Sequence, residues 1–228
     1  HGMNVCTRHF AGNAPQKVSV EGCVSATAPN ENTSWTDVLV TSDVQPDSDN
    51  FFDIVTNEAF THLRLNIFPD GGVARLRVYG EPVINWDWFL PGEPIDLEYV
   101  KNGGRPIECT DMFFSNMENL IMPNRGKDMG DGWETKRRRG GRESDWIIVK
   151  LGAIGNIKKV VVDTAHFKGN FPDTFSLEAV KLDEGETPND KTVWETVIGR
   201  EKLTADAEHF YKDEVVSGDA CFSHVRLS

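Results

Sequence analysis

Two stretches of this 228-residue sequence concentrate side chains that can do chemistry. The first is Ser115-Asn116-Met117-Glu118-Asn119-Leu120 together with Asn124 to Arg139, where Gly126, Gly130 and Gly132 alternate with Asp128, Asp131, Glu134 and a run of cations. Glycines admit close backbone approach, and carboxylates, amides and guanidinium groups between them suit a small polar ligand. The second stretch, Asp163-Thr164-Ala165-His166-Phe167-Lys168-Gly169-Asn170, brings together a carboxylate, an imidazole and an ammonium. A carboxylate beside a histidine can orient its ring and hold its proton.

Blander readings compete. Charge runs usually face water, so the first stretch also reads as a solvated loop. A structural cation loop is disfavoured because the Asp128/Asp131 spacing is not that of an EF-hand, and no histidine–carboxylate spacing forms a zincin motif. A nucleic-acid tract at Lys136 to Arg142 lacks a recognition helix or stacking motif around its arginines. Arginines that clamp a carboxylate fit better.

The second stretch is a repeat. Thr7-Arg8-His9-Phe10-Ala11-Gly12-Asn13-Ala14-Pro15 returns as Thr164 to Pro172, and eight of the sixteen positions from Thr7 to Gly22 are identical to their counterparts. Trp35 then aligns with Trp194, and Phe60 to Leu65 with Phe222 to Leu227. Matching residues lie about 160 positions apart, far beyond the roughly 20–50 residue periods of solenoids, so each copy is domain-sized. The copies differ where chemistry is concerned: Cys6 stands in place of Asp163, and Ala11 in place of Lys168. Chemistry is therefore expected in the second copy, with the first as scaffold. His62 and His224, each two residues before an arginine on the same strand face, read as structural.

The elements that must position these groups read as strands: residues 17–23, 63–67, 75–78, 146–151, 159–163 and 176–180 are short, β-branched and bounded by Gly, Pro, Asn and Asp. Pro69-Asp70-Gly71-Gly72 reads as a hairpin turn. Helix is scarce, so the expected class is all-β, an antiparallel sandwich. The spacing predicts a first repeat over 1–81, present as its C-terminal part, a linker over 82–98 containing Trp86, Trp88 and Phe89, and a second repeat over 99–228 lacking its last strands. The chain is thus expected to hold about one and a half units, trimmed at both ends.

Composition narrows the partners. The 24 Lys and Arg residues against 36 Asp and Glu give a net charge of -12, which repels a phosphate backbone or an anionic membrane surface. No apolar run approaches the roughly 20 residues that span a bilayer, and no signal peptide is read at the N-terminus. The four scattered cysteines form no CxxC pair and suggest a reducing compartment.

The motifs Ser115 to Pro123, Met129 to Arg139 and Asp163 to Pro172 resemble the signatures of the allantoicase family, and the resemblance extends over essentially the whole chain. It implies two tandem jelly-roll β-sandwiches of the galactose-binding or discoidin-like type, and hydrolysis of allantoate to ureidoglycolate and urea in purine degradation. A site for allantoate must hold one carboxylate and two ureido groups and must move protons. Glu134 and His166 are the acid/base candidates, and Asp163 is expected to orient His166. Arg139 or Lys168 is expected to bind the substrate carboxylate, and Asn116, Glu118 and Asn170 the ureido groups. No cofactor is expected, with a divalent metal left open. The expected partners are allantoate and further copies of the chain in a homo-oligomer, with no nucleic acid and no membrane, in the cytoplasm or the peroxisome. The alternatives are a non-catalytic discoidin-like binding module and a duplicated structural protein; exposed aromatics at loop tips would mark the former, converging charges in one pocket an enzyme.

Overall fold

The computed structural model describes residues 1–138 and 144–228. Thirteen strands and four short 3₁₀ turns make up its regular structure, with no α-helix among the described residues. None of the described segments is a helix long and apolar enough to cross a membrane. The chain divides into two units, His1–Glu81 and Pro82–Ser228.

In the first unit β1 (Gly2–Cys6) lies between β4 (Asp49–Asp53) and β6 (Arg75–Tyr79), and β2 (Lys17–Cys23) lies between β3 (Thr36–Asp43) and β5 (His62–Phe68), all antiparallel. Alternate residues of a strand share a face. Met3 and Val5 of β1 accordingly meet Val18 and Val20 of β2 in one buried cluster, closed by Leu39 and Val44.

The second unit has a five-stranded sheet in the order β11 (Glu195–Lys202), β10 (Thr174–Val180), β13 (Cys221–Leu227), β8 (Ile147–Asn156), β7 (Arg105–Cys109), and a pair formed by β9 (Val160–Asp163) and β12 (Glu208–Tyr211). Its core gathers Ile147, Val149 and Leu151 from β8, Phe175, Leu177 and Ala179 from β10, and Phe222 and Val225 from β13. Tyr211 of β12 meets Phe175 of β10 with ring centroids 4.8 Å apart, which ties the small sheet to the large one.

The repeat is structural. β2 sits between β3 and β5 as β10 sits between β11 and β13, and β1 pairs with β4 as β9 pairs with β12. The matched tryptophans and arginines take identical jobs. Arg64 pairs with Glu21 at 2.9 Å and lies 4.4 Å over Trp35, while Arg226 pairs with Glu178 at 2.6 Å and lies 4.7 Å over Trp194. His224 is a packed strand residue: Ser223 Oγ lies 2.9 Å from its Nδ1, and burial, then the Lys150 charge, lowers its pKa.

Each of the six segments read as strands from sequence falls on a strand, and seven further strands lie outside them. β3 and β11 escape because their apolar residues are few and lie within polar ones, Thr36-Asp37 and Thr41-Ser42-Asp43 around the first and Glu195-Thr196 and Gly199 to Lys202 around the second. Pro69–Gly72 is not a hairpin turn. It links β5 to β6, which belong to different sheets. Its glycines serve close approach: a Cβ on Gly71, at φ +132, would fall 2.5 Å from Pro15 N, and one on Gly72 2.0 Å from the Phe10 ring. Gly72 N–H donates to the Asn13 carbonyl at 2.7 Å, so the link is pressed onto the repeated turn.

Glu98 precedes β7 where the chain is tight, its carbonyl oxygen only 1.8 Å from where a Cβ on Gly104 would stand. Burial, reinforced by the Asp96 carboxylate, lifts its carboxyl from 4.5 to about 7. The folded state therefore holds this proton more tightly than the unfolded state, and the stability it contributes is complete below pH 4.5 and lost as pH rises through about 7. Glu98→Gln should raise the melting temperature at pH 8 and leave it nearly unchanged at pH 4.5. Melting curves at the two pH values check this; an equal shift at both would remove the carboxyl as the cause.

Candidate active site

The site is built on the turn that leaves β9. Thr164 is buried, and its hydroxyl donates to the Thr204 carbonyl at 2.7 Å while accepting from Ala207 N–H at 3.1 Å. Two residues on, His166 adopts φ +69 and faces Asp206 at φ +52. A left-handed residue costs roughly 1–2 kcal/mol, so something must hold each one there. His166 N–H donates to Asp206 Oδ1 at 2.7 Å, a charge-assisted bond of the right order to do so. The first unit repeats the device: Thr7 bonds Gln45 and Ser48, and His9, at φ +72, donates its N–H to Asp47 at 2.8 Å.

The segment from Thr110 to Arg138 forms the facing wall. Asp111 accepts from Phe113 and Lys136 backbone N–H groups, and its carbonyl accepts Trp133 Nε1–H at 2.8 Å. Ser115 forms an antiparallel bridge with Glu134. Asn119 Nδ2 ties down the Gly130 and Gly132 carbonyls at 2.9 and 3.0 Å, and Asp128 caps a 3₁₀ turn over Met129–Asp131 by accepting Gly130 N–H at 2.8 Å. Gly132 is required by contact, since a Cβ there would lie 2.7 Å from the Phe167 ring.

Between this wall and the β9 turn lies a cavity of about 680 Å³. Side-chain hydrogen bonds join its sides. Arg125 makes a bidentate fork with Asp163, Nε to Oδ2 at 2.8 Å and Nη2 to Oδ1 at 2.9 Å, and His166 Nε2 lies 2.7 Å from the Gly126 carbonyl. A carbonyl can only accept, so Nε2 carries the proton and Nδ1 is the ring's remaining proton site. Burial pushes the Asp163 carboxyl up, but Arg125, the Ala165 N–H and the His166 charge outweigh it and hold it below its ordinary value. Across the cavity, Asn170 Nδ2 donates to Glu134 Oε1 at 2.6 Å.

Of the residues expected from sequence, Glu134, Asp163, His166 and Asn170 line this cavity together. Asp163 is engaged by Arg125 and the Ala165 N–H, with the His166 ring held instead by Gly126. Asn116, Glu118 and Lys168 do not line it. Lys168 reaches Asp206 only at 3.9 Å, with its side chain 78% exposed. Arg139 lies outside the described residues. Sequence reasoning missed Arg125, because Arg125 and Lys127 flank Gly126 equally and only the fold shows which of them meets the Asp163 carboxylate. Among the described residues no group of three or more His, Cys, Asp or Glu side chains could hold a metal.

The corresponding end of the first unit is different. Cys6 replaces Asp163, and Arg8 turns instead to Asp49 at 2.8 Å. The Asn4 amide and the Cys6 thiol, then Arg8, hold the Asp49 carboxyl down to about 2. The nearby hollow of about 330 Å³ has Asp43 as its sole charged lining residue, itself paired with Lys17 at 3.2 Å.

Residues 1–83 and 95–228 match the allantoicase repeat. The chain belongs to the allantoicase family. It is 43% identical over 231 residues to a probable allantoicase of Pseudomonas savastanoi pv. phaseolicola, covering all of this chain and 69% of that one. It is 40% identical over 235 residues to the allantoicase of Dictyostelium discoideum, covering 63% of that protein. The crystal structure of allantoicase from Saccharomyces cerevisiae superposes on 99% of this chain with a TM-score of 0.75 at 34% identity, over 67% of that chain. The tandem sandwich expected from the repeat is thus the architecture of this family, and the motifs that carried the resemblance are the ones that wall the cavity.

The packing of Phe167 on Gly132 gives a steric test. Gly132→Ala should displace the ring and destabilise the second unit by about 1–3 kcal/mol, whereas Gly169→Ala, with nothing within 4 Å of its would-be Cβ, should change little. Denaturant unfolding of the two variants separates them; equal midpoints would show that the wall does not depend on this contact.

Proposed function

We propose that this chain hydrolyses allantoate to ureidoglycolate and urea, a step of purine degradation, in the cavity of the second unit. The observation that carries the reading is Glu134, a cavity-lining carboxylate with one oxygen held by Asn170 and no hydrogen bond to the other among the described residues. A carboxylate so placed has its second oxygen available to a water or a ureido N–H.

The central carbon of allantoate bears a hydrogen, a carboxylate and two ureido groups. Hydrolysis breaks its bond to one ureido nitrogen. That bond's electron pair goes to the nitrogen, which takes a proton and leaves as urea, while the oxygen of water bonds to the carbon and loses a proton. Glu134 takes the proton from water. His166 supplies the proton to the leaving nitrogen at Nδ1, its Nε2–H being committed to Gly126. Asn170, whose amide nitrogen is bound to Glu134, offers its carbonyl oxygen to a ureido N–H. Asp163 acts one step back: by fixing Arg125 next to Gly126 it fixes the carbonyl that holds the histidine ring. Substrate held between two fixed walls reacts as if intramolecularly, and this positioning supplies much of the rate.

Glu134→Gln and His166→Ala should each lower urea release from allantoate by roughly 10²-fold or more if both groups transfer protons. Glu134→Gln should hold its melting temperature, since the amide keeps an oxygen for Asn170, whereas His166→Ala loses the bond to Gly126 at a left-handed position and should melt somewhat lower, so both are assayed well below their melting temperatures. A urea assay on the two variants decides it; near-normal turnover in both would sink the assignment.

A further inference from the structure

The charges around the cavity are almost all spoken for. Arg125 is forked to Asp163 at 2.8 Å, Arg138 is paired with Asp145 at 2.7 Å, and Lys136 is paired with Asp111 at 3.5 Å. Asp173 holds Lys202 at 2.8 Å, while Asp128 and Asp131 accept backbone N–H groups of their own turn. Among the described residues Arg137 is the one lining cation with no carboxylate partner, and it is exposed to solvent. Its neighbours on both sides are pinned, Lys136 by its N–H to Asp111 at 2.7 Å and Arg138 by its fork to Asp145. The backbone that carries Arg137 is therefore held while its guanidinium is left unspent.

We infer that Arg137 is the residue that captures the substrate's carboxylate and sets the preference for an anionic diureide over a neutral one. This rests on the allantoate reading above and names the group that recognises one part of that substrate. A guanidinium presents two parallel N–H donors that match a carboxylate, and lysine, a point charge, does not reproduce that geometry. A chain of net charge -12 offers an anion no general attraction, so a carboxylate needs a dedicated cation at the site.

The test uses the full chain with Arg137→Gln and Arg137→Lys, and two substrates: allantoate and methylenediurea, which carries two ureido groups on a CH₂ and no carboxylate. Arg137→Gln should raise KM for allantoate by about 10-fold or more with kcat changed much less, and should weaken allantoate binding in calorimetry by the same factor. Any affinity for methylenediurea, read in the same calorimetry, should not fall with it, so the preference for allantoate narrows by about the same 10-fold factor. Arg137→Lys should recover part of the loss. An unaltered chain that cleaves allantoate, with Arg137→Gln showing the same KM and the same binding, overturns the role of Arg137 and leaves the proposed function standing. An unaltered chain that binds allantoate without releasing urea, with binding lost in Arg137→Gln, overturns the proposed reaction and leaves the carboxylate site. An unaltered chain that neither binds nor cleaves allantoate overturns both.

Discussion

Both units depend on a threonine hydroxyl buried at the end of a strand. Thr7 and Thr164 are almost fully buried, and each ties the end of its strand to the backbone of the opposing loop, Gln45 and Ser48 in one case, Thr204 and Ala207 in the other. A buried hydroxyl without partners costs about 1–3 kcal/mol, so the loop must come to it. Once it does, the two segments turn side by side, and the left-handed histidine and the left-handed aspartate become neighbours that can hold each other. The repeated Thr-x-His-Phe-x-Gly-Asn sequence is the trace of this constraint. Its histidine is conserved between the copies first for its backbone, and only in the second copy does the ring face a partner across a cavity.

What distinguishes the copies is the residue just before that threonine. With Cys6 there, the strand end presents a thiol, and Asp49 is saturated by Asn4, Cys6 and Arg8 within the unit. With Asp163 there, the strand end faces Glu208 directly across the β9–β12 pair. Two carboxylates opposite each other repel, and a cation from elsewhere relieves the strain. Arg125 supplies it, and the charges of Glu208 and Asp206, after the Asp163 fork, help to keep its guanidinium protonated. A local electrostatic need of the strand pair thus recruits a distant loop, and the loop brings Gly126 to His166 and Glu134 to the same cavity.

Sequence carried the fold well and the site in part, for a physical reason. Strand period, Gly/Pro punctuation and the repeat are local signals, and residues 17–23 coincide with β2. Turns that join sheets are not local: Pro69–Gly72 has the composition of a hairpin, yet its glycines answer to Pro15 and Phe10, more than fifty residues away. The same holds at the site. His166 and Asn170 stand out by type and repeat and Glu134 by its dense polar motif, whereas composition cannot tell the paired guanidinium of Arg125 from that of Arg137, unpaired among the described residues. Lys168 is a candidate by sequence because it shares one short stretch with Asp163 and His166, but two residues beyond the left-handed His166 it does not line the cavity.

An acidic chain and an anionic substrate are compatible once distance is considered. At physiological salt, charges in water are screened beyond about 8 Å, so the net charge of -12 is felt by a partner that touches much of the surface and hardly by one that touches a single pocket. A nucleic acid integrates over many phosphates and meets the whole excess of carboxylates. A small carboxylate meets only the groups lining the cavity. There Asp163, Asp145 and Asp173 are already neutralised by Arg125, Arg138 and Lys202. Internal pairing removes the repulsion and fixes the walls before the ligand arrives, and among the described residues it leaves the Arg137 guanidinium and the half-bonded Glu134 carboxylate as the poles along which the proposed substrate, with an anionic end and N–H donors at the other, would align.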